Sequence, residues 1–218
     1  MGLFSWLFGK PKRVISRDVI WLTNAARVRG ATKSVNAPLT SNRSVLVLAH
    51  FPAALAAFGE HIILKSCPHA TIPSTLTPAA ALELAMGPPR VLLGLVRNLE
   101  PVEFPPPDTA PESPLSVVVL ERHLLRKHDD HVTHFAEGLG SKAAVEFHVS
   151  LDDPLMAMFA GEWVANALRQ LGMKEGEAID SKLVPRRIEQ AQAKIAKTIQ
   201  TDEDADSAAE WLERNRGK

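Results

Sequence analysis

The chain has no tyrosine, a single cysteine and no long apolar run. A lone thiol, Cys67, cannot form an internal disulfide, and its predicted role is packing in a reducing compartment. No apolar run approaches the ~20 residues that a bilayer-spanning helix needs. The 25 basic and 25 acidic residues balance, so charge gives no bias toward nucleic acid. These absences predict a cytoplasmic protein that does not bind nucleic acid.

What the chain does have is enough apolar material for one good-sized domain, with 45% hydrophobic content over 218 residues. Continuous apolar runs rich in strand-forming residues are separated by stretches with helical patterns. Such runs, when they do not alternate with polar residues, predict a parallel sheet covered by helices on both faces, an α/β fold. The predicted strands are 45–49, 62–65, 90–96, 116–120 and 144–151, and the predicted helices between them include 52–59 and 78–86.

Four motifs follow one another in the second half of the chain. They read ERHLLRKHDD (121–130), VSLDDPLMAMF (149–159), LGMKEGEAID (171–180) and RRIEQAQAKIA (186–196). In order and spacing they resemble the ERHxSRR, SLEDxLM, LGMxxGEAIE and AxxNAQxKVE motifs of the SecA preprotein translocase ATPases. The resemblance implies the second, RecA-like motor lobe of that family and the start of its scaffold helix. It also implies a role in protein translocation at the membrane, with the Sec machinery or a SecA-like motor as partner.

The resemblance fails at the catalytic arginines. In the family an arginine–glycine series, QxRGRxGRxG, follows the first motif and reaches the ATP phosphates, a task that suits the guanidinium group. The register here places Thr133, Phe135 and Gly138 at the three arginines. The loss of all three arginines argues against ATP hydrolysis, since one catalytic arginine can increase the rate by orders of magnitude. We therefore expect no catalytic residue and no cofactor.

A phosphate-binding loop is also missing. The nearest match to GxxxxGK[ST] is the stretch 30–34, where Thr32 occupies a position that needs glycine. We expect this stretch to be a polar linker. The stretch 100–114 holds six prolines and predicts an extended loop.

The predicted organisation has four parts. An apolar and basic segment spans 1–13, a linker region 14–44, the SecA-like motor lobe 45–160, and a helical extension 161–218. After the predicted sheet, Asp152 or Asp153 can cap a helix whose apolar positions run from Leu155 to Leu171, with Gly172 as its stop. A second helix carries an apolar stripe, which either packs on its own lobe or stays exposed for a partner. The stripe consists of Ile188, Ala191, Ile195 and Ile199.

Clustered histidines raise the question of a metal site. His128, His131 and His134 recur three residues apart near Asp129 and Asp130, and imidazole and carboxylate groups are zinc ligands. Steps of three drift around a helix, however, and no HExxH pair is present. We predict a solvated helix face and no metal, with these three histidines as the candidates for the alternative.

The N-terminal segment is the second functional signal. Large apolar side chains precede a basic cluster, so the segment could lie at the headgroup boundary of an anionic membrane, with the basic groups facing lipid. The alternative is docking in a groove of its own fold or of a protein partner. The predicted contact residues are Leu3, Phe4, Trp6, Leu7, Phe8, Lys10, Lys12 and Arg13.

Two hypotheses about function follow. The first, which we favour, is a non-catalytic SecA-like module that binds or regulates a partner in protein export, located in the cytoplasm or peripherally on the membrane. The second is a nucleotide-binding or metal-dependent enzyme that uses the same lobe in an altered way. Binding of ATP discriminates between them, because only a nucleotide switch or enzyme should be stabilised by it.

Overall fold

A computed structural model describes residues 14–72, 74–102, 112–160, 162–179, 181 and 183–217. Six strands form one sheet in the order β1-β6-β5-β2-β4-β3, and every neighbouring pair is parallel. The α/β fold with a parallel sheet is therefore confirmed. The strands are β1 (Val14–Trp21), β2 (Val45–Ala49), β3 (His69–Thr71), β4 (Val91–Leu95), β5 (Ser116–Val119) and β6 (Ala143–Ser150).

Helices cover both faces of the sheet. The helices are α1 (Asn24–Thr40), α2 (Pro52–Leu64), α3 (Pro78–Ala85), α4 (Arg126–Glu137), α5 (Pro154–Ala157), α6 (Glu162–Gln170), α7 (Val184–Ala196) and α8 (Ala208–Asn215). Val45 and Val47 of β2 pack with α1 and α2 on one face, whereas Leu46 and Leu48 pack with α3 and α4 on the other. Burial on both faces explains why this strand reads as a continuous apolar run.

The prediction of a strand at 62–65 is wrong, because these residues end α2. Ile62 is fully buried while its neighbour Ile63 is 57% exposed, the one-sided burial of a helix end. An apolar run of three residues, 62–64, fits either element, and its continuity with the preceding helix decides. The short strand β3 follows instead.

Residues 14–44 are not a linker: they form β1 and α1. This strand was not recognised in the sequence because β1 lies at the edge of the sheet. Ile15, Ser16 and Arg17 are exposed there, and the two polar residues among them interrupt the apolar pattern. The stretch 30–34, which was predicted to be a polar linker, lies inside α1 and does not form a phosphate-binding loop. Gly30 allows α1 to pack closely on β1, since an added Cβ would lie 2.0 Å from the Trp21 ring.

The C-terminal region follows the predicted course of strand, helix, turn and second helix. Leu155 and Met156 are buried as expected, and Gly172 takes a left-handed φ of +86° just after α6. The single helix predicted from Leu155 is broken into α5 and α6, and Met158 and Leu171 are exposed.

The hypothesis of an exposed stripe on α7 is wrong. Ile188, Ala191 and Ile195 are each less than 5% exposed and share a core cluster with Leu155 and Trp211. The helix therefore buries its apolar face locally, which was the alternative. No helix among the described ranges is long and apolar enough to cross a membrane.

We expect Gly30→Ala to destabilise the fold by about 1–3 kcal/mol, because its methyl group would force the Trp21 ring out of place. The matched control is Gly59→Ala in α2, where the nearest atom to the new Cβ is Leu93 Cδ1 at 3.8 Å. That change should stabilise by about 0.5–1 kcal/mol, since alanine is the better helix former. Urea unfolding of both variants checks this, and equal effects would contradict the close packing of α1 on β1.

Candidate functional site

The candidate site is the edge of the sheet at which the parallel strands end. Open α/β sheets bind their ligands outside the carboxyl ends of the strands. Here β2 leads into His50 and Phe51, and β5 leads through Leu120 into Glu121, Arg122 and His123. His50, Glu121 and His123 are each less than 9% exposed, whereas Arg122 is partly exposed. The first SecA-like motif therefore begins inside the fold at this edge.

A buried carboxylate, that of Asp129 in the first turn of α4, organises these residues. Its Oδ1 accepts the backbone N–H of His123 at 3.0 Å, and its Oδ2 accepts from Gln192 Nε2 at 2.7 Å. Arg122 Nη1 lies 3.4 Å from Oδ2 and its Nε donates to Asp18 at 2.8 Å. Burial alone would raise the pKa of Asp129, but the contact with His50, the charge of Arg122 and the N–H of His123 together lower it. Asp129 is thus held as an anion.

Two buried histidines flank this carboxylate. His50 Nε2 lies 2.9 Å from Asp129 Oδ1, at an angle unfavourable for a well-formed hydrogen bond. Burial lowers the pKa of His50, and burial together with the neighbouring His50 and His128 lowers the pKa of His123 to about 2. Both rings are therefore neutral near pH 7. The Nδ1 of His123 accepts the N–H of Leu125 at 2.9 Å, which leaves the ring proton on Nε2.

A second buried cluster contains Glu121, Arg27 and Asp153. Glu121 Oε1 accepts the N–H of Phe51 at 3.1 Å, and Arg27 donates to Asp153 at 2.6 Å. Burial raises the pKa of Glu121 to about 7, partly offset by the charge of Arg27. Burial also raises the pKa of Asp153. The Arg27 guanidinium group thus bonds to Asp153 and acts on Glu121 through its charge, and the first two SecA-like motifs meet here.

Residues 199–217, which we call the strap, cover the edge. The Trp211 ring packs edge-on against His123 with ring centroids 4.9 Å apart, and His123 stacks on Phe51 at 5.2 Å. The strap also accepts a hydrogen bond at the N-terminus of α2, from Ala53 N to Asp206 O at 3.0 Å. The space left beneath the strap is about 40 Å³, room for a water molecule or an ion and far too little for a nucleotide.

Carboxylates of the strap meet the basic groups of the edge. Asp202 Oδ2 lies 2.5 Å from Lys127 Nζ and 2.9 Å from His128 Nε2, and Asp204 Oδ2 lies 3.2 Å from Arg97 Nη1. An anion that approaches this edge would therefore find the cationic groups of the edge already paired with carboxylates of the strap.

The residues predicted at the arginine positions lie along α4. Thr133 bonds back to the Asp129 carbonyl, a contact within the helix. Phe135 is fully buried in the core of one face. Gly138 ends α4 at a close approach, where an added Cβ would lie 2.7 Å from Pro78. Two of these three positions are thus committed to packing.

The candidate metal-binding histidines do not converge. His131 Nε2 lies 3.0 Å from the carbonyl oxygen of Leu99, and His134 Nε2 lies 3.2 Å from that of Val102. His128 instead meets His123 and Asp202, and their ligand atoms all lie within 4.8 Å of one another. A metal on His123 Nε2 would require the proton to move to Nδ1, where it would oppose the N–H of Leu125. This grouping therefore fits a metal poorly.

Several residues of this edge were not predicted from the sequence, and two of them could not have been. His50 could have been found, because it directly follows a predicted buried strand at the edge where ligands bind. Gln192 lay within a recognised motif but had no assigned role. Asp202 and Trp211 had no signal, since only the fold brings the strap back to the sheet. The predicted contact residues Leu3–Arg13 lie outside the described residues.

Fold and site together define one α/β lobe with a parallel sheet and a covered carboxyl edge. Residues 108–176 match the model of the SecA P-loop domain. The chain is 41% identical over 81 residues to the protein translocase subunit SecA of Xanthomonas campestris pv. campestris and to that of Xanthomonas oryzae pv. oryzae. The alignment covers 37% of this chain and 9% of each relative. The resemblance to SecA is thus shown for this part of the chain.

Among solved structures, the C-terminal part of the Fun30 ATPase domain is similar over 76% of this chain and 54% of its own, with a TM-score of 0.38 and 8% identity.

We predict that Glu121→Gln raises stability at alkaline pH relative to the intact chain. The folded chain keeps this proton up to about pH 7, whereas the unfolded chain releases it near 4.5, so the carboxyl costs stability as pH rises between them. The variant should therefore gain roughly 3 kcal/mol over the intact chain between pH 4.5 and 8. Urea unfolding at several pH values measures this gain.

The control for Glu121 is Glu112→Gln. Glu112 is exposed, and its hydrogen bond and ion pair with Lys142 lower its pKa, so this change should give no gain as pH rises. Parallel pH profiles for the intact chain and Glu121→Gln would contradict the buried, protonated state of Glu121.

We predict that Gln192→Glu destabilises the fold by about 3–5 kcal/mol at pH 7, because it sets a second carboxylate against Asp129 without a compensating cation. Gln190→Glu makes the same chemical change at an exposed position of the same helix and should stay within about 0.5 kcal/mol. Chemical denaturation compares them. Equal stability of both variants would mean that Asp129 does not hold α7 in place.

Proposed function

We propose that this chain is a non-catalytic SecA-like module that binds or regulates a protein partner in translocation. The match of residues 108–176 and the 41% identity to SecA support the translocation context. Because the aligned region is 9% of the length of those relatives, the motor activity of a whole SecA is not carried over. The partner we propose is a component of the Sec machinery or a SecA-like motor.

The closed carboxyl edge supports the non-catalytic part of the proposal. A nucleotide fills several hundred cubic ångströms, whereas the strap leaves about 40 Å³ above His50 and His123. The cationic groups that could hold phosphates are paired with Asp202 and Asp204. Thr133, Phe135 and Gly138 supply no cation at the positions of the family's arginines.

The proposed organisation keeps the N-terminal segment 1–13 as a contact for an anionic membrane or for the partner, through its apolar and basic side chains. The lobe 45–160 is completed by β1 and α1, and the extension from 161 carries α6, α7 and the strap. This arrangement suits a cytoplasmic protein that attaches to the membrane peripherally.

The competing proposal is a nucleotide-binding or metal-dependent enzyme. Its support is the grouping of His123, His128 and Asp202 next to the small cavity. Against it stands the hydrogen bond to His123 Nδ1, together with Lys127 at 2.5 Å from the Asp202 carboxylate, where a cation would be repelled.

We expect millimolar Mg²⁺–ATP or Mg²⁺–ADP to leave the thermal midpoint unchanged and the chain to release no phosphate. A ligand present at 100 times its Kd would stabilise the fold by about 2.7 kcal/mol, several degrees for a chain of this size. Differential scanning fluorimetry and a phosphate-release assay measure the two properties. A SecA motor assayed in parallel provides the positive control.

The variant Lys127→Gln distinguishes true turnover from a contaminating ATPase. Turnover that falls in this variant would originate at the edge and would overturn the proposal, whereas turnover that is the same in both preparations would come from a contaminant.

A further inference from the structure

The strap is a folded unit in its own right. Its two ends meet, because Ile199 and Arg216 form an antiparallel bridge and the N–H of Gln200 bonds to the carbonyl of Asn215 at 3.1 Å. The Asn215 side chain is 1% exposed and bonds to Thr201 and to the backbone of Glu203. Most of the hydrogen bonds that shape the strap therefore lie within it.

The strap attaches to the lobe and to α7 through apolar, main-chain and ionic contacts. One is apolar: the Trp211 ring packs edge-on against His123 and lies in the core cluster that contains Leu155 and Ile188. One is a main-chain hydrogen bond, in which the backbone N–H of Ala53, in the first turn of α2, donates to the carbonyl oxygen of Asp206. The remainder are ion pairs of Asp202 and Asp204. The lobe thus presents a site for a carboxylate-rich peptide with a tryptophan behind it.

The ionic part of this attachment is weak. Arg97 and Asp204 are 44% and 77% exposed in their side chains, and Lys127 is 63% exposed. Exposed ion pairs of this kind contribute little each, because water and salt screen them. The ionic contacts of the strap can therefore be lost without disrupting the Asp129 cluster beneath it, whose partners lie in the lobe and in α7.

We propose that the strap occupies a peptide-binding site, and that this site accepts in its place an acidic, tryptophan-bearing segment of a partner protein. This inference rests on the proposed function as a partner-binding module and names the surface and the chemistry it recognises. A lipid headgroup could meet the cationic groups and accept from the N–H of Ala53, but it does not combine that acceptor with an indole for the pocket against His123. A peptide offers both.

The chain's own strap is the competitor in this scheme. A tethered segment has an effective concentration in the millimolar range, so a free segment binds the intact chain only weakly. Any change that loosens the strap without touching the lobe should strengthen binding of the free segment. A segment that served structure alone would show no such gain.

The experiment uses the full chain and a fluorescently labelled peptide with the sequence of 199–217, followed by anisotropy. We expect the double variant Asp202→Asn with Asp204→Asn to bind this peptide about tenfold more tightly than the intact chain does, because the ion pairs of its own strap are lost. The matched control is Glu203→Gln, which removes one exposed carboxylate between the two and should leave the affinity within about twofold of the intact chain.

Two further arms test where the peptide binds. Adding Lys127→Gln to the double variant should remove most of the gain, and so should replacing the peptide's tryptophan with alanine. Equal affinity of the double variant and Glu203→Gln, or undiminished binding of the alanine peptide, would overturn the inference. Binding to anionic vesicles that requires Lys127 but is not displaced by the peptide would overturn it in favour of a lipid surface.

These outcomes are separable from the proposed function. A chain that neither binds nor hydrolyses ATP, yet shows no gain in the double variant, would disprove only the peptide site. A chain that turns over ATP at the edge would disprove the non-catalytic proposal whatever the peptide does.

Discussion

The structure depends on how the Asp129 carboxylate is compensated in the interior. A buried charge costs several kcal/mol unless hydrogen bonds and a counter-charge offset it. The compensation comes from the segment after β5 through Arg122 and His123, and from α7 through Gln192. One anion therefore fixes how the sheet, α4 and the last long helix meet. The motifs that resemble those of SecA supply these contacts: Arg122, His123 and Asp129 belong to the first motif and Gln192 to the fourth.

The elements that could be predicted were those whose burial alone sets their sequence. Strands β2 and β4 lie inside the sheet and are covered on both faces, so their apolar runs marked them to within a residue or so. Strand β1 escaped because an edge strand needs no such run, and Arg17 can pair with Glu146 across its exposed surface. The end of α2 was misassigned because three apolar residues in a row show no helical or strand periodicity. Both errors arose because a local sequence pattern was used at positions where the neighbouring elements of the fold determine the secondary structure.

The candidate site was predictable in outline only. The motifs located Arg122, His123 and Gln192 by resemblance, but the roles of these residues arise from distances that no spacing in the sequence expresses. Residues 202–206 read as a solvated acidic tract, and only the return of the chain across the sheet sets Asp202 beside Lys127. A charge run far along the chain has no preferred partner until the fold supplies one.

The parallel pairing of β1 with β6 has a consequence for how the molecule can be divided. Residues 108–176 contain β5 and β6, but the strands on either side of this pair, β1 and β2, come from the first fifty residues of the chain. Cutting out the region shared with SecA would leave two adjacent strands with an unpaired edge on each side, and such edges recruit other chains. The boundaries of the matched stretch are therefore not those of a folding unit.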